Sequence, residues 1–164
     1  MIILGIDPGF EKMGCAVLNK TNNKDELVYS ICIITSRKDS HEKRLLAIGN
    51  KLKEIISRYK PDVAAVEKLF FTTNQKTAIK VAEARGVVLY MAALSNIPII
   101  EFTPLEIKMA LTGYGRADKG QVKKMVQIIL KDAQMPKTDD EIDAIAAALA
   151  CPVKRSPHLS TGVF

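Results

Sequence analysis

The chain has 164 residues, of which 48% are hydrophobic, and its 24 Lys and Arg residues outnumber 18 Asp and Glu residues for a net charge of +6 at pH 7. This length predicts one domain with a substantial core and leaves no room for a second full domain. The basic excess favours a polyanionic partner such as nucleic acid, although many soluble proteins are mildly basic without binding one.

The cysteines and the apolar runs bear on cell compartment. Cys15, Cys32 and Cys151 are odd in number and lack zinc-ligand spacing, so we interpret them as reduced packing residues. His41 and His158 stand alone and are not expected to bind metal. Because no run approaches the roughly 20 apolar residues of a membrane span, and no signal-peptide pattern opens the chain, we expect a soluble, cytoplasmic protein without membrane contact.

The first third of the chain predicts three strands and a helix. Short apolar runs over residues 2–7, 14–18 and 26–36 are separated by turn residues and predict an antiparallel meander. Apolar residues then recur at spacings of three and four over residues 40–59, which predicts an amphipathic helix that Pro61 ends.

The rest of the chain alternates strands and helices. Residues 62–67 predict a buried strand with parallel neighbours, Asn74 can cap a helix that continues to about residue 95, and residues 98–102 predict a fifth strand. Further helices begin at the capping box Thr103 to Glu106, at Asp118, and at Thr138 or Asp139. We therefore predict an α/β domain over residues 1–150, with a five-stranded mixed sheet flanked by helices, and a mobile tail over residues 151–164.

One stretch of the long helix is apolar nearly all round. It runs from Val87 to Leu94. A helix of this kind either lies inside a core or forms a subunit interface.

Three carboxylates end or interrupt apolar runs. Asp7 follows the first strand, Glu67 follows the fourth, and Asp143 lies within the last helix. Ionised carboxylates are rarely buried unless they are paired or bind a cation, and these apolar runs contain no Lys or Arg. Because Asp7 and Glu67 end strands predicted to be parallel neighbours, the pattern predicts a site for a hard divalent cation such as Mg²⁺.

The last helix offers more than one acid. Asp140 and Asp143 are three residues apart and share a face, whereas for Asp139 we favour a role as a cap or as a partner of the helix dipole. Taken alone, Asp7 could be a turn residue and Glu67 could pair with a neighbouring Lys. About four carboxylates around two metal ions suit phosphodiester hydrolysis, and the basic charge favours this over the paired acids of a glycosidase.

Several segments closely resemble the RuvC family of bacterial Holliday junction resolvases. They are ILGIDPG at 3–9, AVEKLF at 65–70, ARG at 84–86, KGQVK at 119–123 and DEIDAIA at 140–146. The likeness covers about residues 2–150. It implies a ribonuclease H-like fold and a homodimer.

The resemblance also implies the site. Asp7, Glu67, Asp140 and Asp143 match the four catalytic acids of the family, which imply two Mg²⁺ ions per subunit with Mn²⁺ as a substitute. Asp139 adjoins Asp140, so the identity of the fourth ligand stays open.

The expected DNA contacts come from resemblance and from charge. Phe70 matches an aromatic residue that the family uses against bases at the junction centre, and Lys108 and Lys119 match its basic positions. Arg116, Lys123 and Lys124 are added from their charge alone, and solvated helix faces are the other interpretation of these three. The implied partners are a four-way DNA junction and the RuvA and RuvB branch-migration proteins.

The resemblance therefore predicts an endonuclease of DNA recombination and repair that makes paired symmetric nicks and leaves 5′-phosphates. An actin-like ATPase would need two large domains, for which this chain is too short. Another resolvase-like family of the same fold shares an Asp-x-Gly turn, but Glu67 argues against it. A junction-binding module without catalysis is the remaining alternative.

Overall fold

A computed structural model describes residues 1–69, 75–131, 134–136 and 138–152, which contain five strands and five helices. The strands are β1 (Ile2–Asp7), β2 (Lys12–Lys20), β3 (Asp25–Ile34), β4 (Val63–Glu67) and β5 (Ile99–Phe102). The helices are α1 (His41–Tyr59), α2 (Gln75–Leu94), α3 (Pro104–Thr112), α4 (Lys119–Ile129) and α5 (Asp139–Ala150). Every predicted element is present, although the predicted cap Asn74 lies outside the described residues.

The five strands form one mixed sheet in the order β3-β2-β1-β4-β5. Strands β1, β2 and β3 pair antiparallel, whereas β1 pairs parallel with β4, and β4 pairs parallel with β5. The predicted fold class is therefore confirmed. The parallel register joins Ile6 to Val66, so the next residues, Asp7 and Glu67, end adjacent strands at the same edge of the sheet.

Helices cover both faces of the sheet. One core lies against α3, α4 and α5 and includes Ile3 and Ala65, and the other lies against α1 and α2 and includes Leu4 and Val66. Because successive residues of a strand point to opposite faces, burial on both sides explains why β1 and β4 are continuous apolar runs.

Two glycines allow α5 to lie directly on the sheet. A Cβ on Gly5 would stand 2.1 Å from the carbonyl oxygen of Ala144, and one on Gly14 would stand 1.8 Å from that of Asp140. No side chain fits at either position. The contact therefore sets the height of α5, and with it the height of the acids that α5 bears.

The apolar stretch of α2 is only partly buried within the chain. Val88, Met91 and Ala92 pack into the core, but Tyr90 is 64% exposed and Leu94 is 62% exposed. The described residues therefore bury this half-helix on one side only, so it does not lie wholly inside the core of its own chain. None of the helices in the described part of the chain has the length and apolarity needed to cross a bilayer.

We expect Gly14→Ala to displace α5, because the added methyl group would meet backbone rather than a movable side chain. Overpacking of this kind costs about 1–3 kcal/mol, which denaturant unfolding would measure. Gly49→Ala is the matched control, since its Cβ would stand 3.4 Å from Val87 Cγ1 in ordinary contact and alanine favours a helix. Equal stability of the two variants would contradict the role given to Gly14.

Candidate active site

The acidic site lies on a row of residues that crosses the sheet. Gly14 of β2 is paired with Asp7 of β1 on one side and with Cys32 of β3 on the other, and Glu67 ends the adjoining strand β4. Residues opposite each other on neighbouring strands point to the same face, here the face that α5 covers. The row thus presents two carboxylates and one thiol, with a glycine between Asp7 and Cys32.

Helix α5 brings two further carboxylates over this row. Its N-cap is Thr138, whose side chain accepts a hydrogen bond from the backbone N–H of Glu141. The backbone carbonyl group of Asp140 packs against Gly14. The Cys32 thiol donates to the Asp140 side chain, with Sγ 3.7 Å from Oδ2. Asp143 follows three residues later on the same face.

Burial and mutual repulsion raise the pKa of the two strand-end acids. The pKa of Asp7 rises to about 8, mainly because the carboxyl group is desolvated, and further because Glu67, Asp143 and Asp140 are nearby negative charges. The pKa of Glu67 rises to about 7 through desolvation and then through Asp143. Like-charge coupling of this kind is typical of active sites and metal sites.

Lys119 supplies a positive charge that the three apolar runs lack. Its Nζ lies 3.3 Å from Asp143 Oδ2, and its positive charge opposes the rise in pKa of Asp7 and of Glu67. Asp143 in turn raises the pKa of the Lys119 ammonium. The Lys119 side chain is 76% exposed, so it reaches the acids from the solvent side.

The structure separates Asp139 from Asp140. Asp139 is exposed and lines a groove at the start of α4 and α5, together with Lys119, Gly120, Lys123, Ile142 and Asp143. Asp140, not Asp139, is among the charges that raise the pKa of Asp7. Asp139 belongs to the first turn of α5, where a negative charge favours the helix dipole.

The donor chemistry fits a hard divalent cation, because all four acids offer oxygen ligands and two of them have raised pKa values. Among the described residues, no three His, Cys, Asp or Glu side chains lie close enough to hold a metal ion as they stand.

The other predicted contacts are spread around the site. Lys108 of α3 is half-buried, and its positive charge is near enough to Glu67 to oppose part of the rise in the pKa of that acid. Arg116, Lys123 and Lys124 are exposed. Lys123 borders the groove beside Asp139. Phe70 lies outside the described residues.

The sequence interpretation missed the polar contacts between β3 and α5. Ser30 Oγ donates to Glu141 Oε2 at 2.7 Å, and Thr138 Oγ1 donates to Glu141 Oε1 at 2.9 Å. None of the three cysteines forms a disulfide in the described part of the chain, and Cys15 and Cys151 are buried, as expected for packing residues, but Cys32 also contacts Asp140. No local signal identifies Ser30 or Cys32, because their position opposite α5 depends on the register of β3.

Comparison with known proteins gives concordant matches. The family model described as crossover junction endodeoxyribonuclease RuvC matches residues 3–151. The protein of that name from Petrotoga mobilis is 50% identical over 148 residues, covering 90% of this chain and 91% of the relative. The one from Alkaliphilus metalliredigens is 46% identical over 149 residues, covering 91% of each. A solved structure of T. thermophilus RuvC in complex with Holliday junction substrate is 34% identical, covers 92% of each chain and superposes with a TM-score of 0.86.

We expect Asp7→Asn to stabilise the metal-free protein at neutral and alkaline pH. Because the pKa of Asp7 is about 8 in the folded state and about 4 in an unfolded chain, the folded state holds the proton more tightly, so stability falls as pH rises through this interval. In chelator at about pH 8, the free energy of unfolding of the variant should exceed that of the parent by about 1–3 kcal/mol. This difference should shrink toward about pH 4.

Asp139→Asn is the control, because it removes the same charge from an exposed residue in the first turn of α5. Added Mg²⁺ should stabilise the parent more than Asp7→Asn. A stability advantage of Asp7→Asn that does not change with pH would contradict the electrostatic account.

Proposed function

Since this chain belongs to the RuvC family of crossover junction endodeoxyribonucleases, we propose that it resolves four-way DNA junctions by paired symmetric nicks during recombination and repair. Its fold is ribonuclease H-like, as the close match to a solved family member indicates. The observation that supports the proposal most is the coupling of Asp7 with Glu67, Asp140 and Asp143. Four carboxylates at the edge of a sheet, in a chain of net charge +6, suit a reaction on a phosphate backbone.

Nucleases of this family depend on a divalent metal, and we propose Mg²⁺, two ions per subunit, with Mn²⁺ as a substitute. Asp7, Glu67, Asp140 and Asp143 would hold the ions. When bound, they would supply an activated water to attack the phosphorus and would stabilise the leaving 3′ oxygen, so that cleavage of the P–O3′ bond leaves a 5′-phosphate. Because Glu67, Asp143 and Asp140 all act on Asp7, we propose that Asp7 would help to hold both ions.

We propose that Lys119 releases Asp143 from their ion pair when a metal ion binds. In the metal-free site it neutralises Asp143, and its exposed ammonium can turn outward to a DNA phosphate when a cation takes its place. We propose that Lys108, Arg116, Lys123 and Lys124 also contact the DNA backbone through their positive charges. Phe70 is proposed to stack on unpaired bases, as the family resemblance implies.

A homodimer suits a substrate with approximate two-fold symmetry. The proposed interface is the exposed face of α2, where Ile79, Tyr90 and Leu94 lie at helical spacing and are 69%, 64% and 62% exposed. Apolar side chains aligned in this way on a helix favour burial against a partner.

RuvA and RuvB remain proposed partners through family resemblance, and the cytoplasm remains the proposed location.

The proposed nuclease is tested with a synthetic four-way junction and a linear duplex of the same sequence, each with Mg²⁺ or with chelator. We expect symmetric nicks in the junction alone, with 5′-phosphate ends, and only with metal. Asp7→Asn and Asp140→Asn should lower the nicking rate by at least about a thousandfold while junction binding in gel-shift assays remains.

Asp139→Asn provides the matched control, because it removes the charge next to Asp140 that is not among those acting most on Asp7. It should retain nicking within about threefold. Equal cutting of duplex and junction would contradict junction selectivity. Tight junction binding without nicking, by parent and variants alike, would favour the non-catalytic junction-binding module instead.

The dimer is tested with Tyr90→Glu. Tyr90 is a better probe than Met91, because Met91 is buried in the core and a charge there would disturb folding. We expect Tyr90→Glu to sediment as a monomer, whereas Ile34→Glu, which is 68% exposed on β3, should sediment as a dimer like the parent. A dimer that persists in Tyr90→Glu would contradict this interface.

A further inference from the structure

Thr35 and Arg44 are the buried polar side chains in the described part of the chain, with exposures of 6% and 7%. Thr35 follows β3 and Arg44 lies in α1, and the Arg44 Nε donates a hydrogen bond of 2.9 Å to Thr35 Oγ1. A buried guanidinium is costly to desolvate unless its surroundings compensate. The burial of this pair therefore suggests that it has a structural role in the interior.

Both residues contact the turn that connects β1 to β2. Thr35 Oγ1 donates to the carbonyl oxygen of Phe10 at 2.7 Å, and the Thr35 backbone N–H donates to that of Glu11 at 3.0 Å. The Arg44 guanidinium lies over the Phe10 ring, with Cζ 4.0 Å from the ring centroid, as in a cation–π contact. The turn is thus held through its backbone and through its buried aromatic side chain.

This turn begins directly after Asp7, and it is tight. Pro8 fixes one backbone torsion, and a Cβ on Gly9 would stand 1.7 Å from the carbonyl oxygen of Lys12. The backbone between Asp7 and the fixed Phe10 therefore has little conformational freedom. A shift of Phe10 would be transmitted along the backbone to the Asp7 carboxylate.

We propose that Thr35 and Arg44 are positioning residues that hold the Phe10 turn and thereby fix the Asp7 carboxylate within the acidic site. The inference rests on the proposed nuclease function. The coupling is mechanical, because Glu67, Asp143, Asp140 and Lys119 are the charges that act most on Asp7. Direct binding of a DNA phosphate by Arg44 does not explain the pair, since its Nη2 atom is buried from solvent and has no hydrogen-bond partner among the described residues.

The test compares Thr35→Val, which keeps the shape and loses the hydroxyl group, with Thr35→Ser, which keeps the hydroxyl group. Ile48→Val is the stability control, because Ile48 is fully buried on α1 one turn after Arg44 and has no polar group with which to hold the turn. Three quantities are measured for each: the melting temperature, kcat for junction nicking at saturating Mg²⁺, and Mn²⁺ affinity by electron paramagnetic resonance without DNA.

We expect Thr35→Val to lower kcat and to weaken Mn²⁺ binding by about tenfold each, while junction affinity in chelator is unchanged. Thr35→Ser should restore both quantities to within about twofold of the parent. Ile48→Val should melt at a similarly reduced temperature with both quantities unchanged. That pattern supports positioning, because lower stability alone would affect Thr35→Val and Ile48→Val equally.

Parent-like kcat and Mn²⁺ affinity in Thr35→Val would overturn the proposal, and so would equal losses in Ile48→Val. The Mn²⁺ titration needs no substrate, so it separates this inference from the proposed function. If the parent nicks no junction, the nuclease assignment fails, and tenfold weaker Mn²⁺ binding by Thr35→Val would still support the positioning of Asp7.

Discussion

The direct contact between helix α5 and the sheet is the constraint on which the acidic site depends. Gly5 and Gly14 leave the strand backbone bare, so the carbonyl oxygens of Ala144 and Asp140 approach where any side chain would collide. Close packing of this kind transmits position with little tolerance. The same contact that buries the apolar face of α5 therefore also sets the distance between the helix acids and Asp7.

That closeness has an electrostatic cost, which the site balances in two ways. Desolvation and like charges raise the pKa of Asp7 and of Glu67, so the metal-free site favours protons at its centre. Lys119 offsets part of the repulsion through Asp143 from the solvent side. A bound cation would stabilise the ionised carboxylates and take the place of the protons and of Lys119, so it would relieve both costs.

The two faces of the sheet contribute differently to this centre. On one face, α5 supplies acids and β3 holds its first turn, through Ser30 to Glu141 and through Cys32 to Asp140. On the opposite face, the buried Thr35 and Arg44 hold the turn after Asp7. The Asp7 carboxylate thus depends on packing from both helical layers, although only the layer that contains α5 adds acids to those of the strands.

The sequence by itself determined the strands, the helices, the mixed sheet and the acids that interrupt apolar runs. Those features rest on local periodicity, on capping residues and on the cost of burying charge. Only the tertiary structure decided that Asp140 rather than Asp139 approaches Asp7, that Lys119 pairs with Asp143, and that one side of α2 stays exposed. The approach of Asp140 depends on strand register and on the height of α5 above the sheet, which arise from contacts between residues more than a hundred positions apart and leave no local trace in the sequence. The Lys119 ion pair and the exposure of α2 depend likewise on how α4 and α2 pack against the rest of the domain, which their local patterns do not determine.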